Sequence, residues 1–198
     1  MSHPNIIKFK AFIENPETNC RILITEFFDS IPLADFLSQN ELTNEEINQL
    51  STEIIASLSY LHNQSIIHND FNVQNIIINP KTHNFKIIDF GVSKKVIESD
   101  FQSMMDHQGN LTYRAPKGCF QESINCYFSD IWGLCLIVFS LFMKKALSSK
   151  EALELNLIDE HKIESPVLRD LLEKSNKNTR IQEFLDFFER RWENLKFL

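Results

Sequence analysis

Three polar residues in the middle of the chain carry the side chains needed to bind a divalent cation and to accept a proton. Asp70 and Asn75 lie in a polar stretch between apolar runs, in SIIHNDFNVQNIIIN at 65–79, and Asp89 follows in the tripeptide DFG. Carboxylate and amide oxygens are hard ligands that suit Mg²⁺, and a carboxylate that holds no metal can take up a proton. Taken singly, Asp and Asn in loops are more often turn formers than functional groups. Their chemistry therefore depends on elements that bring the three together.

A helix is predicted immediately before this polar stretch. In LTNEEINQLSTEIIASLSYLHNQ at 42–64, Thr43 and Glu46 form a capping-box pattern at the start. The apolar residues then recur at steps of three and four, which is typical of an amphipathic helix; they are Ile47, Leu50, Ile54, Leu58 and Leu61.

Two short strands are predicted after the polar stretch. NIII and FKIID, at 75–78 and 85–89, are apolar and are joined by the turn sequence NPKTHN. A hairpin of this kind would return Asp89 to the neighbourhood of Asn75.

Apolar segments also lie towards both ends of the chain. The segments 6–14 and 20–28, separated by NPETN, predict an antiparallel hairpin. The run IWGLCLIVFSLFM at 131–143 is well short of the roughly 20 residues of a membrane span. It predicts a buried helix, and the chain after residue 129 is expected to be helical.

Composition narrows the class of protein. The 198 residues are 43% hydrophobic and include 17 Phe, enough for a sizeable core. A net charge of -7 argues against nucleic acid or an anionic membrane as a partner. The N-terminus shows no apolar signal-peptide segment. The four cysteines form no CxxC pair or metal-ligand spacing, which predicts reduced thiols in a cytoplasmic protein and no zinc site; they are Cys20, Cys119, Cys126 and Cys135.

Motifs in the same order along the chain resemble those of eukaryotic protein kinases. IIHNDFNVQNIII followed by KIIDFG resembles the catalytic loop and magnesium loop, H-R-D-L-K-x-x-N and D-F-G. The other matching segments are HPNII with LITEFF, GNLTYRAPK at 109–117, SDIWGLCLIVFSLF at 129–142 and Arg180.

The resemblance implies an α+β, mostly α fold: a protein-kinase-like C-terminal lobe with a short N-terminal β hairpin. Residues 1–198 would form one kinase-like domain that is incomplete at its N-terminus. In that domain, 1–28 would be the remnant of a small lobe with the hinge, and 29–198 would be the helical large lobe.

The resemblance also implies ATP and Mg²⁺ as cofactors and a role for each matching residue. Asp70 would be the catalytic base, and Asn75 and Asp89 would hold Mg²⁺. The remaining roles are the adenine edge (Glu26, Phe28), the gatekeeper (Thr25), the adenine floor (Ile77), a hydrophobic spine (His68, Phe90, Phe9) and a support beneath the catalytic loop (Asp130).

Several family features are missing or changed. No G-x-G-x-x-G loop is present, nor the strand Lys and helix Glu that precede HPNII in the family. Asn69 replaces the Arg of H-R-D. Asn72 and Asn110 replace the loop Lys and its Thr partner, and we expect the two amides to pair. Lys117 replaces the Glu of A-P-E and would repel Arg180, so that end of the segment is expected to be looser.

These observations leave three functional hypotheses. The first is a protein kinase that transfers phosphate from ATP to Ser or Thr hydroxyls of a protein substrate once an upstream small lobe completes it. The alternative is a catalytically impaired pseudokinase that binds nucleotide or a protein partner as a scaffold. The third is a small-molecule kinase of the aminoglycoside phosphotransferase type, whose H-x-D-x-x-x-x-N loop also lacks the Lys. YRAP and SDIWGLCLIVF favour the protein-kinase readings over the third.

Overall fold

The N-terminal segment forms the expected hairpin. The computed structural model describes residues 2–18, 20–96, 127–142 and 144–146. β1 (Phe9–Asn15) and β2 (Cys20–Thr25) pair antiparallel, with a register shift between Phe9 and Ala11. At the connecting turn, the side-chain oxygen of Asn15 accepts the backbone N–H groups of Glu17 and Thr18, the pattern of an Asx turn. The hairpin prediction is confirmed, although both strands are shorter than the apolar segments suggested.

Two helices follow the hairpin. α1 (Leu33–Gln39) was not predicted, and it begins after Pro32 without a side-chain cap. α2 (Asn44–Asn63) was predicted, and its capping box is present: Thr43 accepts the N–H of Glu46, whose carboxylate accepts the N–H of Thr43. A capping box satisfies two otherwise unpaired donors at a helix start, which explains why the helix begins at this point.

Short strands surround the polar stretch. β3 (Ile31–Pro32), β5 (Ile76–Ile78) and β6 (Phe85–Ile87) form an antiparallel sheet in the order β3-β5-β6. The β5–β6 hairpin with its turn at 79–84 confirms the second predicted pair of strands. β4 (Ile66–Ile67) pairs with β7 (Lys94–Lys95), which ties the start of the polar stretch to the segment after DFG.

The last described element is α3 (Phe128–Phe142), which contains the long apolar run. It packs against α2, and its residues Leu134, Ile137 and Leu141 are fully buried. The prediction of a buried helix is confirmed. None of the helices in the described ranges combines the length and the hydropathy needed to cross a membrane.

The described part of the chain mixes α helices with short antiparallel β elements, which agrees with the α+β class. The predictions for GNLTYRAPK, Asn110, Lys117, Arg180, Cys119, Cys126 and the C-terminal helices fall outside the residues that the structure describes.

Candidate active site

The structure brings Asp70 and Asn75 into direct contact. The amide nitrogen of Asn75 donates to Oδ2 of Asp70 and to the backbone oxygen of Asp70, both at 2.8 Å. Asn75 is buried and Asp70 is half-buried. The Asn75 nitrogen is thereby turned towards the carboxylate, and its amide oxygen is the atom left to act as a cation ligand.

Asn72 contacts the other oxygen of the same carboxylate. Its amide nitrogen lies 3.0 Å from Oδ1 and 3.0 Å from the backbone oxygen of Asp70. Its amide oxygen accepts the N–H groups of Gln74 and Asn75. The sequence analysis expected Asn72 to pair with Asn110, which lies outside the described residues, and it did not foresee these contacts with Asp70.

A buried carboxylate in α3 supports the loop. Asp130 accepts the backbone N–H of His68 and of Asn69, each at 2.7 Å, and the ring nitrogen Nε2 of His62 lies 2.8 Å from Oδ2. Asn69 has a φ of 64°, a left-handed conformation that Asn adopts more readily than most residues. The expected support by Asp130 is therefore present as hydrogen bonds to the two residues that precede Asp70.

The backbone of α3 also approaches the loop closely. A Cβ added at Gly133 would lie 2.1 Å from the backbone oxygen of Phe71. No side chain fits at that distance, so glycine permits the contact between helix and loop. No sequence signal predicted this role, because an isolated glycine in a helix has several explanations.

The β5–β6 hairpin places Asp89 beside this loop. The N–H of Ile88 donates to the backbone oxygen of Asn75 at 2.9 Å, and Nε2 of His68 lies 2.9 Å from the backbone oxygen of Ile88. Asp89 is exposed, has a φ of 61°, and accepts the N–H of Gly91. A positive φ at a residue other than glycine is uncommon and is often associated with functional sites.

Two of the three predicted spine residues are in contact. The rings of His68 and Phe90 have centroids 4.9 Å apart. Phe9 lines the same cavity as Phe90, but 57% of its surface is exposed.

A cavity of about 650 Å³ lies between the hairpin, the strand β5 and the DFG segment. Every residue predicted to contact adenine lines it, as do the gatekeeper and Asp89. Asp70 and Asn75 are not among its lining residues. The lining residues that the sequence analysis singled out are Phe9, Thr25, Glu26, Phe28, Ile77, Asp89 and Phe90.

A charged contact that the sequence did not predict joins Glu26 to β6. Lys86 Nζ lies 2.6 Å from the Glu26 carboxylate, which also accepts the N–H of Lys8. The hydrogen bond from Lys86, followed by that from Lys8, holds the pKa of Glu26 below its usual value. The same ammonium donates to the backbone oxygen of Pro4 and lies 5.5 Å from the centre of the Phe28 ring.

The oxygen donors fit a magnesium ion that is also bound by phosphates. Across the described ranges, no group of three or more His, Cys, Asp or Glu side chains is arranged to hold a metal without other ligands. Asn75 and Asp89 would supply one amide oxygen and one carboxylate, and magnesium typically takes one or two protein ligands and completes its shell with phosphates and water.

The sequence pattern of the family described as Protein kinase domain matches residues 1–193. The serine/threonine-protein kinase RUNKEL of Arabidopsis thaliana is 29% identical over 72% of this chain and 10% of its own length. A probable casein kinase II subunit alpha homolog of Encephalitozoon cuniculi is 30% identical over 73% of this chain and 44% of its own length. The chain thus spans less than half of each relative.

A solved structure, that of the yeast RNA Pol II CTD kinase CTDK-1 complex, is similar in fold. It matches with a TM-score of 0.60 at 24% identity, over 78% of this chain and 51% of that chain.

Proposed function

The chain belongs to the protein kinase family, and on this premise we propose that it forms the catalytic part of a Ser/Thr protein kinase. In this proposal ATP is bound with Mg²⁺, and its terminal phosphoryl group is transferred to a Ser or Thr hydroxyl of a protein substrate. The observation that carries the proposal is the contact between Asn75 and the Asp70 carboxylate, beside the strand that leads to Asp89. The names of the similar Ser/Thr kinases support the choice of hydroxyl.

Asp70 acts as the proton acceptor in the proposed reaction. The substrate hydroxyl oxygen forms a bond to the γ-phosphorus, the bond from that phosphorus to the bridging oxygen of ADP breaks, and the hydroxyl proton passes to Asp70. Asn75 and Asp89 would hold Mg²⁺, which when bound offsets the negative charge of the phosphates. The hydrogen bonds from Asn72 and Asn75 keep the Asp70 carboxylate oriented.

The cavity is the proposed ATP site. Glu26 and Phe28 would contact the adenine edge through the backbone, Ile77 would form the floor, and Thr25 would lie at the back. The Glu26 carboxylate already binds Lys86 and Lys8. The side chain of Glu26 therefore takes no part in the proposed contact with adenine, which uses the backbone. A mostly apolar cavity with a few polar groups is typical of a small-molecule site and fits a nucleotide base.

The division into lobes is a further part of the proposal. Residues 1–28 would belong to a small lobe and hinge, and 29–198 to a helical large lobe. The hairpin supports this division because large apolar side chains are exposed on both of its faces, and such surfaces usually pack against other protein. They are Phe12, Ile13, Ile22, Leu23 and Ile24. Further strands outside the 198 residues would cover them and would supply the phosphate-binding loop and Lys.

The test is phosphoryl transfer from labelled ATP with Mg²⁺ to a library of Ser, Thr and Tyr peptides by the full-length protein. Asp70→Asn should abolish transfer while ATP binding is kept, and Asp89→Asn should weaken Mg²⁺-dependent ATP binding as well. The matched control is Asp35→Asn, an exposed Asp in the first turn of α1, which should retain full activity.

Other results would point to other functions. ATP binding without transfer, in the full-length protein, would favour the nucleotide-binding scaffold, and transfer to an aminoglycoside but to no peptide would favour a small-molecule kinase. A cytoplasmic location is also part of the proposal, and fractionation of the native cells would test it.

A further inference from the structure

We propose that Asn72 is a positioning residue for Asp70, which it holds through its side-chain amide where the family pattern has a phosphate-contacting Lys. This inference rests on the proposed function, because Asp70 is the proposed proton acceptor. It assigns to Asn72 a task different from that of the Lys: the amide orients the carboxylate and brings no charge to the phosphate.

The contacts of Asn72 use its whole amide. The nitrogen donates to Oδ1 and to the backbone oxygen of Asp70, and the oxygen accepts the N–H groups of Gln74 and Asn75. The residue is 1% exposed. A buried amide that satisfies both its donor and acceptor capacity has one preferred orientation, because turning it would leave polar atoms unpaired.

Asn72 and Asn75 contact Asp70 in the same way from opposite sides. Each amide nitrogen donates to the backbone oxygen of Asp70 and to one carboxylate oxygen, Oδ1 for Asn72 and Oδ2 for Asn75. Rotation of the carboxylate would break both hydrogen bonds together. Among the described residues, the side chains of Asn72 and Asn75 thus both orient the Asp70 carboxylate, and the family pattern includes only Asn75 of these two.

A turn-forming role alone does not account for these contacts. The amide oxygen of Asn72 makes an Asx turn, and the amide oxygens of Asn15 and Asn79 do the same with the N–H groups two and three residues further on. Such a turn needs only the oxygen, so Asp serves as well as Asn. The donor half of Asn72 is what faces Asp70, and an Asp in its place would bring two carboxylates together.

This distinction provides the decisive substitution. Asn72→Asp keeps the shape and the turn-forming oxygen but replaces the donor with a second carboxylate oxygen near Oδ1 of Asp70. Asn79→Asp is the matched control, because the Asn79 nitrogen donates to the backbone oxygen of Asp29 and not to Asp70.

The first measurement is steady-state kinetics of the full-length protein. Asn72→Asp should lower kcat by about tenfold to a hundredfold, the effect seen when hydrogen bonds that orient metal-site ligands are lost. The KM for ATP should be unchanged, because Asn72 does not line the cavity. Asn79→Asp should keep the wild-type kcat. An unchanged kcat in a folded Asn72→Asp protein would overturn the proposal.

A second measurement needs no activity and no folded Asn72→Asp protein. In a ¹⁵N–¹H spectrum, Asp70→Ala should shift the side-chain amide signals of Asn72 and Asn75 and leave those of Asn79 in place. If the wild-type protein transfers no phosphate, the proposed function fails while this spectrum still tests the contact. Asn72 signals that do not move in Asp70→Ala would overturn the inference whatever the activity.

Discussion

The carboxylate of Asp130 in α3 accepts the backbone N–H of Asn69 at 2.7 Å, one residue before Asp70. The same side chain accepts the N–H of His68 and faces His62. All three partners are buried, so a substitution here leaves polar groups without water to replace the lost bonds. One side chain from a distant helix thus fixes the backbone on which the candidate site is built.

Asp130→Asn should destabilise the protein strongly. An amide has one acceptor oxygen and would direct an N–H group at a buried donor, and breaking such a buried network typically costs about 3 kcal/mol. Urea unfolding of the variant and the wild type would measure this loss. Asp29→Asn, at an exposed position, is the control, and a loss at Asp130 no larger than that of the control would contradict the assigned role.

The elements that the sequence predicted well are those with strong local signals. α2 has a capping box and a continuous apolar face, and the β5–β6 hairpin has apolar strands around a turn sequence. α1 was missed because it has only seven residues and no side-chain cap. β7 was missed because Lys94–Lys95 has no strand pattern, and its pairing with Ile66–Ile67 is a long-range contact.

Some features of the candidate site were likewise predicted from the sequence, and others were not. The order of Asp70, Asn75 and Asp89 in the family pattern predicted one shared site, and the structure shows the contact between Asp70 and Asn75. The contacts of Asn72 depend on the path of the loop, which includes a left-handed residue at Asn69, and no local pattern encodes that path. The Lys86–Glu26 contact joins residues far apart in the sequence, so it became visible only in the folded chain.

For Gly133→Ala, the direction of the change in stability tests the close contact between α3 and the loop. In a helix interior, Gly→Ala usually stabilises by about 0.5–1 kcal/mol. The added Cβ would lie 2.1 Å from the backbone oxygen of Phe71, so we expect destabilisation and displacement of the loop that contains Asp70 and Phe71. Thermal unfolding would show a lower midpoint for Gly133→Ala. Ala56→Gly, at an exposed position of α2, is the control that measures the difference in helix propensity between Ala and Gly. A raised unfolding midpoint for Gly133→Ala would show that the close contact is absent.

Cys135 should be unreactive in the folded protein. Burial raises its pKa to about 12, so almost no thiolate is present near neutral pH, and thiolate is the reactive form. Iodoacetamide at pH 8, followed by peptide mass spectrometry, should label the exposed Cys20 but label Cys135 only after addition of urea. Equal labelling rates at the two cysteines in the native protein would contradict the buried position of Cys135.

The Glu26–Lys86 contact should make part of the stability depend on pH. The hydrogen bond from Lys86 lowers the pKa of Glu26 from its usual 4.5, so the folded state favours the carboxylate more than the unfolded state does. The stabilisation from this contact is fully present above the pKa that Glu26 has in the unfolded protein. It is lost as the pH falls through the lower pKa that Glu26 has in the folded protein. Urea unfolding from pH 7 down to pH 3 should show a stability difference between wild type and Glu26→Gln that shrinks with acidification. Glu17→Gln, at an exposed turn position, is the control, and a Glu26→Gln difference that stays constant over this range would argue against the charged contact.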